Sequence, residues 1–162
     1  RSQLEFAMSA WNPYLLKDVE ALELVQRRAT KRAPGLRYLS YEERLKKLNL
    51  TTLKERRIRG DLIQQYKIVN GIDKVNWHNK PCFVSENIEN STKPVTRGHK
   101  YKIFKESVKD NIRANFFTNR ITNNWNALPK EAVEARSVNS FKAKIDKIYE
   151  MNSTYEAVRW TK

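Results

Sequence analysis

Between Leu15 and Ala33, apolar residues recur at Leu15, Val19, Leu22, Val25, Ala29 and Ala33, a spacing that places all six on one stripe of an α-helix. Pro34 and Gly35 stop that helix. Gln26 is the one polar interruption of the stripe, and Leu24 lies outside it. Arg27, Arg28, Lys31 and Arg32 fall on the opposite arc in the last turns, where cations also suit the helix dipole.

Further helices follow from local signals. Ser40 and Glu43 have the capping-box spacing that opens a short helix from Tyr41 to Leu48, and Thr52 with Glu55 opens a longer one. The longer helix carries Ile58, Leu62, Tyr66 and Val69 on one stripe, with Ile63 and Ile68 off it, and Gly71 ends it. Gly60 in its interior costs about 1 kcal/mol relative to Ala, which suggests that another backbone or a ligand approaches there. From residue 72 to 98 the periodicity fades while Pro81, Asn87, Asn90, Ser91, Pro94 and Gly98 accumulate, so this stretch reads as a mobile linker. Lys100 to Phe104 alternates like a short strand, paired in this reading with residues around Arg113 to Phe116. Ile121, Trp125 and Leu128 form a helical face closed by Pro129, and Ser137 caps a last helix carrying Val138, Phe141, Ile145 and Ile148. No periodicity stands out from Met151 onward. The expected fold is mainly α: a helical bundle over 1–71, a linker over 72–98, and a small helical C-terminal part over 99–162 with a short β-hairpin.

With 40% hydrophobic residues the chain can bury a core, so global disorder is not expected. Thirty-two Lys and Arg against eighteen Asp and Glu leave a net charge of +14, more than solubility requires and therefore suggestive of a polyanionic partner. The charge is localised. Residues 27–59 hold twelve cations against three acids, which is +9 of the +14, while the first 26 residues are net acidic. Arg27, Arg28, Lys31, Arg32, Lys46, Lys47, Arg56, Arg57 and Arg59 are the candidate phosphate-binding residues. Tyr38, Tyr41, Trp77 and Trp125 are the aromatics available for base stacking, though the place of Trp125 on an apolar face assigns it to the core.

Catalytic patterns are missing from the sequence. Two-metal chemistry needs carboxylates converging within about 4 Å of each ion pair, whereas Asp18, Asp61, Asp73, Asp110 and Asp146 are scattered. Glu42 and Glu43 are adjacent but belong to the first turn of a helix, where they serve its dipole. His78 and Cys82 have a zinc-compatible spacing, yet a closed site needs four ligands and the only other histidine is His99. Four dispersed glycines give no phosphate loop. A single cysteine excludes an intramolecular disulfide and fits a reducing compartment, and no apolar run is long enough to span a bilayer. A soluble intracellular protein, nuclear or cytoplasmic, is the expectation, and a start at Arg1 without Met suggests a piece of a longer frame.

The order of short segments adds a resemblance. Leu4-Glu5-Phe6-Ala7, Trp11-Asn12-Pro13-Tyr14 and Val25-Gln26-Arg27-Arg28-Ala29-Thr30-Lys31 are followed by Leu39-Ser40-Tyr41-Glu42-Glu43-Arg44-Leu45 and Leu53-Lys54-Glu55-Arg56-Arg57-Ile58-Arg59-Gly60-Asp61-Leu62. Then come Thr96-Arg97-Gly98-His99, Asn115-Phe116-Phe117, Trp125-Asn126-Ala127-Leu128-Pro129 and Ser137-Val138-Asn139-Ser140-Phe141-Lys142. Over about residues 4 to 145 this resembles the tract that follows the palm in jockey-like non-LTR (LINE-type) retrotransposon reverse transcriptases. The resemblance implies that residues up to about 71 correspond to the thumb, which grips template and primer, and that the parent protein performs RNA-templated DNA synthesis. It also implies partners: RNA or DNA held through the phosphate backbone, and the palm of the parent polymerase. Fingers, palm and endonuclease have no counterpart in this chain, so no catalytic residue carries over. No cofactor is expected here, Mg being required only by the missing palm. Two other readings remain open on the residues: a stand-alone RNA- or DNA-binding module derived from such an element, and a protein-interaction domain whose positive charge is incidental.

Overall fold

Local capping determines where several helices begin, and it does so as the spacing of Ser, Thr and Glu predicts. In the computed structural model, which describes residues 2–77, 80–85 and 98–159 (backbone only for 2, 3 and 150–159), the chain is mainly helical. The helices are α1 (Ser2–Glu5), α2 (Leu16–Lys31), α3 (Tyr41–Lys47), α4 (Leu53–Val69), α5 (Asn111–Ala114), α6 (Phe117–Asn126), α7 (Lys130–Val133) and α8 (Val138–Arg159). At α3 the Ser40 hydroxyl accepts the Glu43 N–H at 3.2 Å while the Glu43 carboxylate accepts the Ser40 N–H at 2.8 Å. Thr52 and Glu55 make the same reciprocal pair at the start of α4, at 3.2 and 3.0 Å. At its other end Gly71, with φ of +67°, donates to Ile68 at 3.1 Å and Ile72 donates to Lys67 at 2.9 Å, the two bonds of a Schellman stop.

Two compact units divide the chain, one up to Asp61 and one from Leu62 onward. The division falls inside α4, whereas the sequence places a boundary after Gly71. The reason is that α4 serves two cores: the Leu53 N–H is held by Glu23 in the first unit, and Tyr66 bonds to Ala135 in the second.

In the first unit, Leu36, Leu45 and Leu53 are buried beside polar groups. The buried side of α2 is not the expected stripe. Gln26 and Thr30 are 5% exposed, whereas Val25 is 48% exposed and Leu15 43%, so the helix is turned by about one residue toward its polar neighbours. The cause is a set of hydrogen bonds from outside the helix. Gln26 donates to the Tyr41 hydroxyl at 2.9 Å and to the Thr51 carbonyl at 3.1 Å, and Arg44 donates to the Thr30 hydroxyl at 3.2 Å. The Gln26 amide N–H groups and the Thr30 hydroxyl are matched while Gln26 Oε1 is buried without a partner, so these bonds offset most of the cost of burying Gln and Thr, and apolar neighbours are displaced to the surface. At Gly60 the close neighbour is a side chain and not another backbone: a Cβ there would stand 2.7 Å from the Met8 methyl.

The second unit has an aromatic core. Trp125, Phe141 and Ile145 are fully buried, with Leu62, Tyr66, Ile121 and Val133 close to it. Tyr66 stacks on Phe141 at 4.4 Å between centroids and donates to the Ala135 carbonyl at 2.5 Å. The hairpin expected between Lys100–Phe104 and Arg113–Phe116 does not form. Ile103 instead bridges antiparallel to Phe83, with Val84 donating to Lys102 at 2.7 Å and Phe104 to Cys82 at 2.9 Å. Arg113 is in α5 because the Asp110 carboxylate caps that helix through the Ile112 N–H at 2.9 Å. Residues 82–84, read from the sequence as linker, are therefore tied into this unit. His78 and the stretch 86–97 lie outside the described residues. The last helix continues to Arg159, past the point where the sequence loses periodicity.

Candidate nucleic-acid interface

The candidate cations fall into two groups once the fold is laid out. Arg28, Lys31 and Arg32 are exposed on the face of α2 that lies away from Gln26 and Thr30. Because successive helical residues are separated by about 100°, Arg28 and Lys31 project away from the inner face whether the apolar stripe or the observed one is taken, and Arg32, the C-cap, projects away from the observed one. Lys46 and Lys47 are exposed in the last turn of α3. All five cations sit near helix C-termini, where the dipole favours positive charge and no carboxylate is paired with them among the described ion pairs.

The remaining four are committed to the protein. Arg27 is exposed, but its guanidinium lies 4.8 Å from the centre of the Tyr41 ring. Arg56 is half-buried and forms an ion pair with Glu5 at 2.5 Å. Arg57 is 4% exposed, and burial lowers its pKa, opposed by the charge of Glu23. Arg59 is half-buried. A phosphate chain therefore has direct access to Arg28, Lys31, Arg32, Lys46 and Lys47, and no such access to Arg57.

Behind this face is a polar node that the sequence only hinted at through Gln26. Glu23 accepts the Tyr41 hydroxyl and the Leu53 N–H, and Gln26 donates to the same Tyr41 oxygen. Burial and the hydrogen bond to Glu23 push the Tyr41 phenol up to about 12. The node ties α2, α3 and the start of α4 together, so the exposed cations stand on elements that are fixed to one another.

No family model, curated protein or solved structure matches the chain. Among the described residues no three His, Cys, Asp or Glu side chains come together as a metal site, and Cys82 is an exposed thiol. Trp125, one of the four aromatics available for stacking, is fully buried and donates its indole N–H to the Tyr101 carbonyl at 2.8 Å. Also among the described residues, no helix is long and apolar enough to cross a membrane.

Proposed function

We propose that this chain holds nucleic acid through the phosphate backbone, as the template- and primer-gripping C-terminal portion of a non-LTR retrotransposon reverse transcriptase whose palm lies elsewhere. The observation that carries the binding reading is the set of exposed, unneutralised cations Arg28, Lys31 and Arg32 on a helix whose other face is anchored. Each such cation displaces counterions from a phosphate chain, and the gain does not depend on base identity. The polymerase reading rests on the ordered resemblance along residues 4–145. The exposed apolar residues Leu16, Leu24 and Val25 of α2, with Phe6 before it, supply surface that a protein neighbour such as the palm would cover.

The test uses the purified chain and labelled RNA and DNA of scrambled sequence, titrated between about 50 and 200 mM salt. Changing Arg28, Lys31 and Arg32 together to Gln leaves the circular-dichroism spectrum and melting curve unchanged and weakens binding alike on all sequences. The slope of log affinity against log salt falls by about 0.7 per lost contact on single strands and about 0.9 on duplex DNA. A folded variant with the wild-type affinity and slope overturns the reading, and binding that ignores salt assigns the surface to a protein partner.

A further inference from the structure

The basic face of α2 explains how a backbone is held but gives no contact to a base. The turn that follows α2 supplies one. Leu36 donates to the Ala33 carbonyl and Leu39 to the Leu36 carbonyl, each at 3.2 Å, so residues 36–39 form a hydrogen-bonded turn with Arg37 and Tyr38 at its two corners. Its ends are anchored: Leu36 is 8% exposed, and the Leu39 carbonyl accepts the guanidinium of Arg44, itself a buried residue. Gly35, with φ of +74°, lets the chain enter this geometry at a place where a Cβ would be strained. Tyr38 is 95% exposed. A phenol ring left wholly in water by an anchored turn contributes nothing to the fold, since the hydrophobic gain depends on area removed from water.

The surroundings of the ring are cationic. Arg37 occupies the adjacent corner, and Arg32, the C-cap of α2, is six residues earlier, a span of at most about 22 Å that the folded turn shortens. Tyr38 is also by far the most exposed of the large apolar side chains of the first unit, and the next two, Phe6 at 76% and Leu16 at 72%, lie beside Glu5 and Asp18 in the acidic N-terminal stretch. It also differs from Tyr41, whose hydroxyl and ring face are taken by Glu23, Gln26 and Arg27. An open aromatic face next to Arg37, in the anchored turn that follows the cation-bearing helix, is an arrangement that suits single strands, because every base has a π-face to stack while the backbone follows the charge. A base inside a duplex has both faces covered and cannot use it.

We propose that Tyr38 is a stacking platform for an unpaired base, so that the basic face grips single-stranded nucleic acid or the unpaired stretch beside a duplex. This rests on the phosphate-binding reading above, and the two fail separately. The probe is a fluorescein-labelled single strand of mixed sequence, compared with its duplex and with a strand carrying abasic positions.

Stacking moves no counterions, so Tyr38→Ala weakens single-strand binding by about 5- to 150-fold with an unchanged salt slope. It leaves duplex binding and the melting curve as in the wild type, while Tyr38→Phe and Tyr38→Trp keep single-strand affinity. On the abasic strand, wild type and Tyr38→Ala bind alike. Wild-type affinity in Tyr38→Ala, when the Arg28, Lys31 and Arg32 variant still loses salt slope, overturns the stacking inference alone and leaves the ring to a protein partner. Equal losses on single strand and duplex, or an equal loss in Tyr38→Phe, also overturn it, since then the ring face is not what binds. No effect of the three-cation variant on either probe overturns the phosphate reading.

Discussion

The carboxylate of Glu23, on α2, accepts the backbone N–H of Leu53 at 3.0 Å, at the first residue of α4. It is an N-terminal cap delivered from another helix, placing a negative charge at the positive end of α4 and near the buried Arg57 guanidinium. Glu23→Ala strips the acceptor from Leu53 and from the Tyr41 hydroxyl and leaves Arg57 without its neighbouring charge. We expect a loss on the order of 3 kcal/mol in urea unfolding, larger than a surface carboxylate could give. A loss within the roughly 0.5 kcal/mol usual for surface substitutions would show that the node does not hold the first unit together.

Tyr41 makes the same node sensitive to alkali. Burial is the first cause and the hydrogen bond to Glu23 the second of a phenol pushed from 10.0 up to about 12. The folded protein holds this proton more tightly than the unfolded chain, so the contribution is complete below about pH 10 and is lost as pH rises toward 12. Stability of the wild type should therefore fall more steeply than that of Tyr41→Phe over this window, measured by urea melts at stepped pH. Parallel curves would mean that the phenol ionises freely.

How much of this was legible depends on the range of the interaction. The pairs Ser40 with Glu43 and Thr52 with Glu55, and the stop at Gly71, are set within four residues, and the sequence predicts them correctly. The inner face of α2 was not legible, because Gln26 and Thr30 become buried only when Tyr41, Thr51 and Arg44 arrive to bond them. For the same reason a count of cations cannot separate Arg57 from Arg28: one is enclosed by distant chain and the other is not. The strand partner of Ile103 was misassigned because a short alternating run carries no information about which edge it meets.

His99 gives the second unit an acid-sensitive point. It is 3% exposed, its Nε2 lies 3.1 Å from the Trp125 carbonyl, and its Nδ1 is buried without a partner. A carbonyl only accepts, so Nε2 carries a proton, and burial disfavours a second one on Nδ1. Burial is the largest cause lowering its pKa below 6.5, with Lys102 acting in the same direction. The unfolded chain therefore takes up a proton first, and this contribution to stability is full above about pH 6.5 and is lost as pH falls toward the folded value. The wild type should lose up to about 1.4 kcal/mol per pH unit below 6.5 relative to His99→Asn, measured by melts of both proteins in the same buffers. A constant difference between the two across pH 5 to 7, a range set around the ordinary histidine value of about 6.5, would sink the assignment.

Asn126 stands at the end of α6, next to Trp125 in a segment the sequence marked without giving its polar member a task. In the bridge with Phe83, the hydrogen bonds are made by the residues flanking Ile103, so the N–H and C=O of Ile103 itself point away from that strand. Asn126 meets both: its carbonyl accepts the Ile103 N–H at 2.9 Å and its amide donates to the Ile103 carbonyl at 2.8 Å. One side-chain amide thus replaces a peptide of an absent neighbouring strand, and Ile103, 3% exposed, is buried with its backbone satisfied. Asn126→Ala orphans a buried donor and a buried acceptor at once, which should cost about 2 to 4 kcal/mol. Asn126→Asp keeps the acceptor but sets a carboxylate oxygen against the Ile103 carbonyl, so it should recover little of that loss. The decisive measurement is hydrogen exchange at the Ile103 amide, protected in the wild type and fast in Asn126→Ala under conditions where the Phe141 amide stays protected. Retained protection at Ile103 would show that Phe83 pairing alone holds this strand, and that the asparagine is incidental to it.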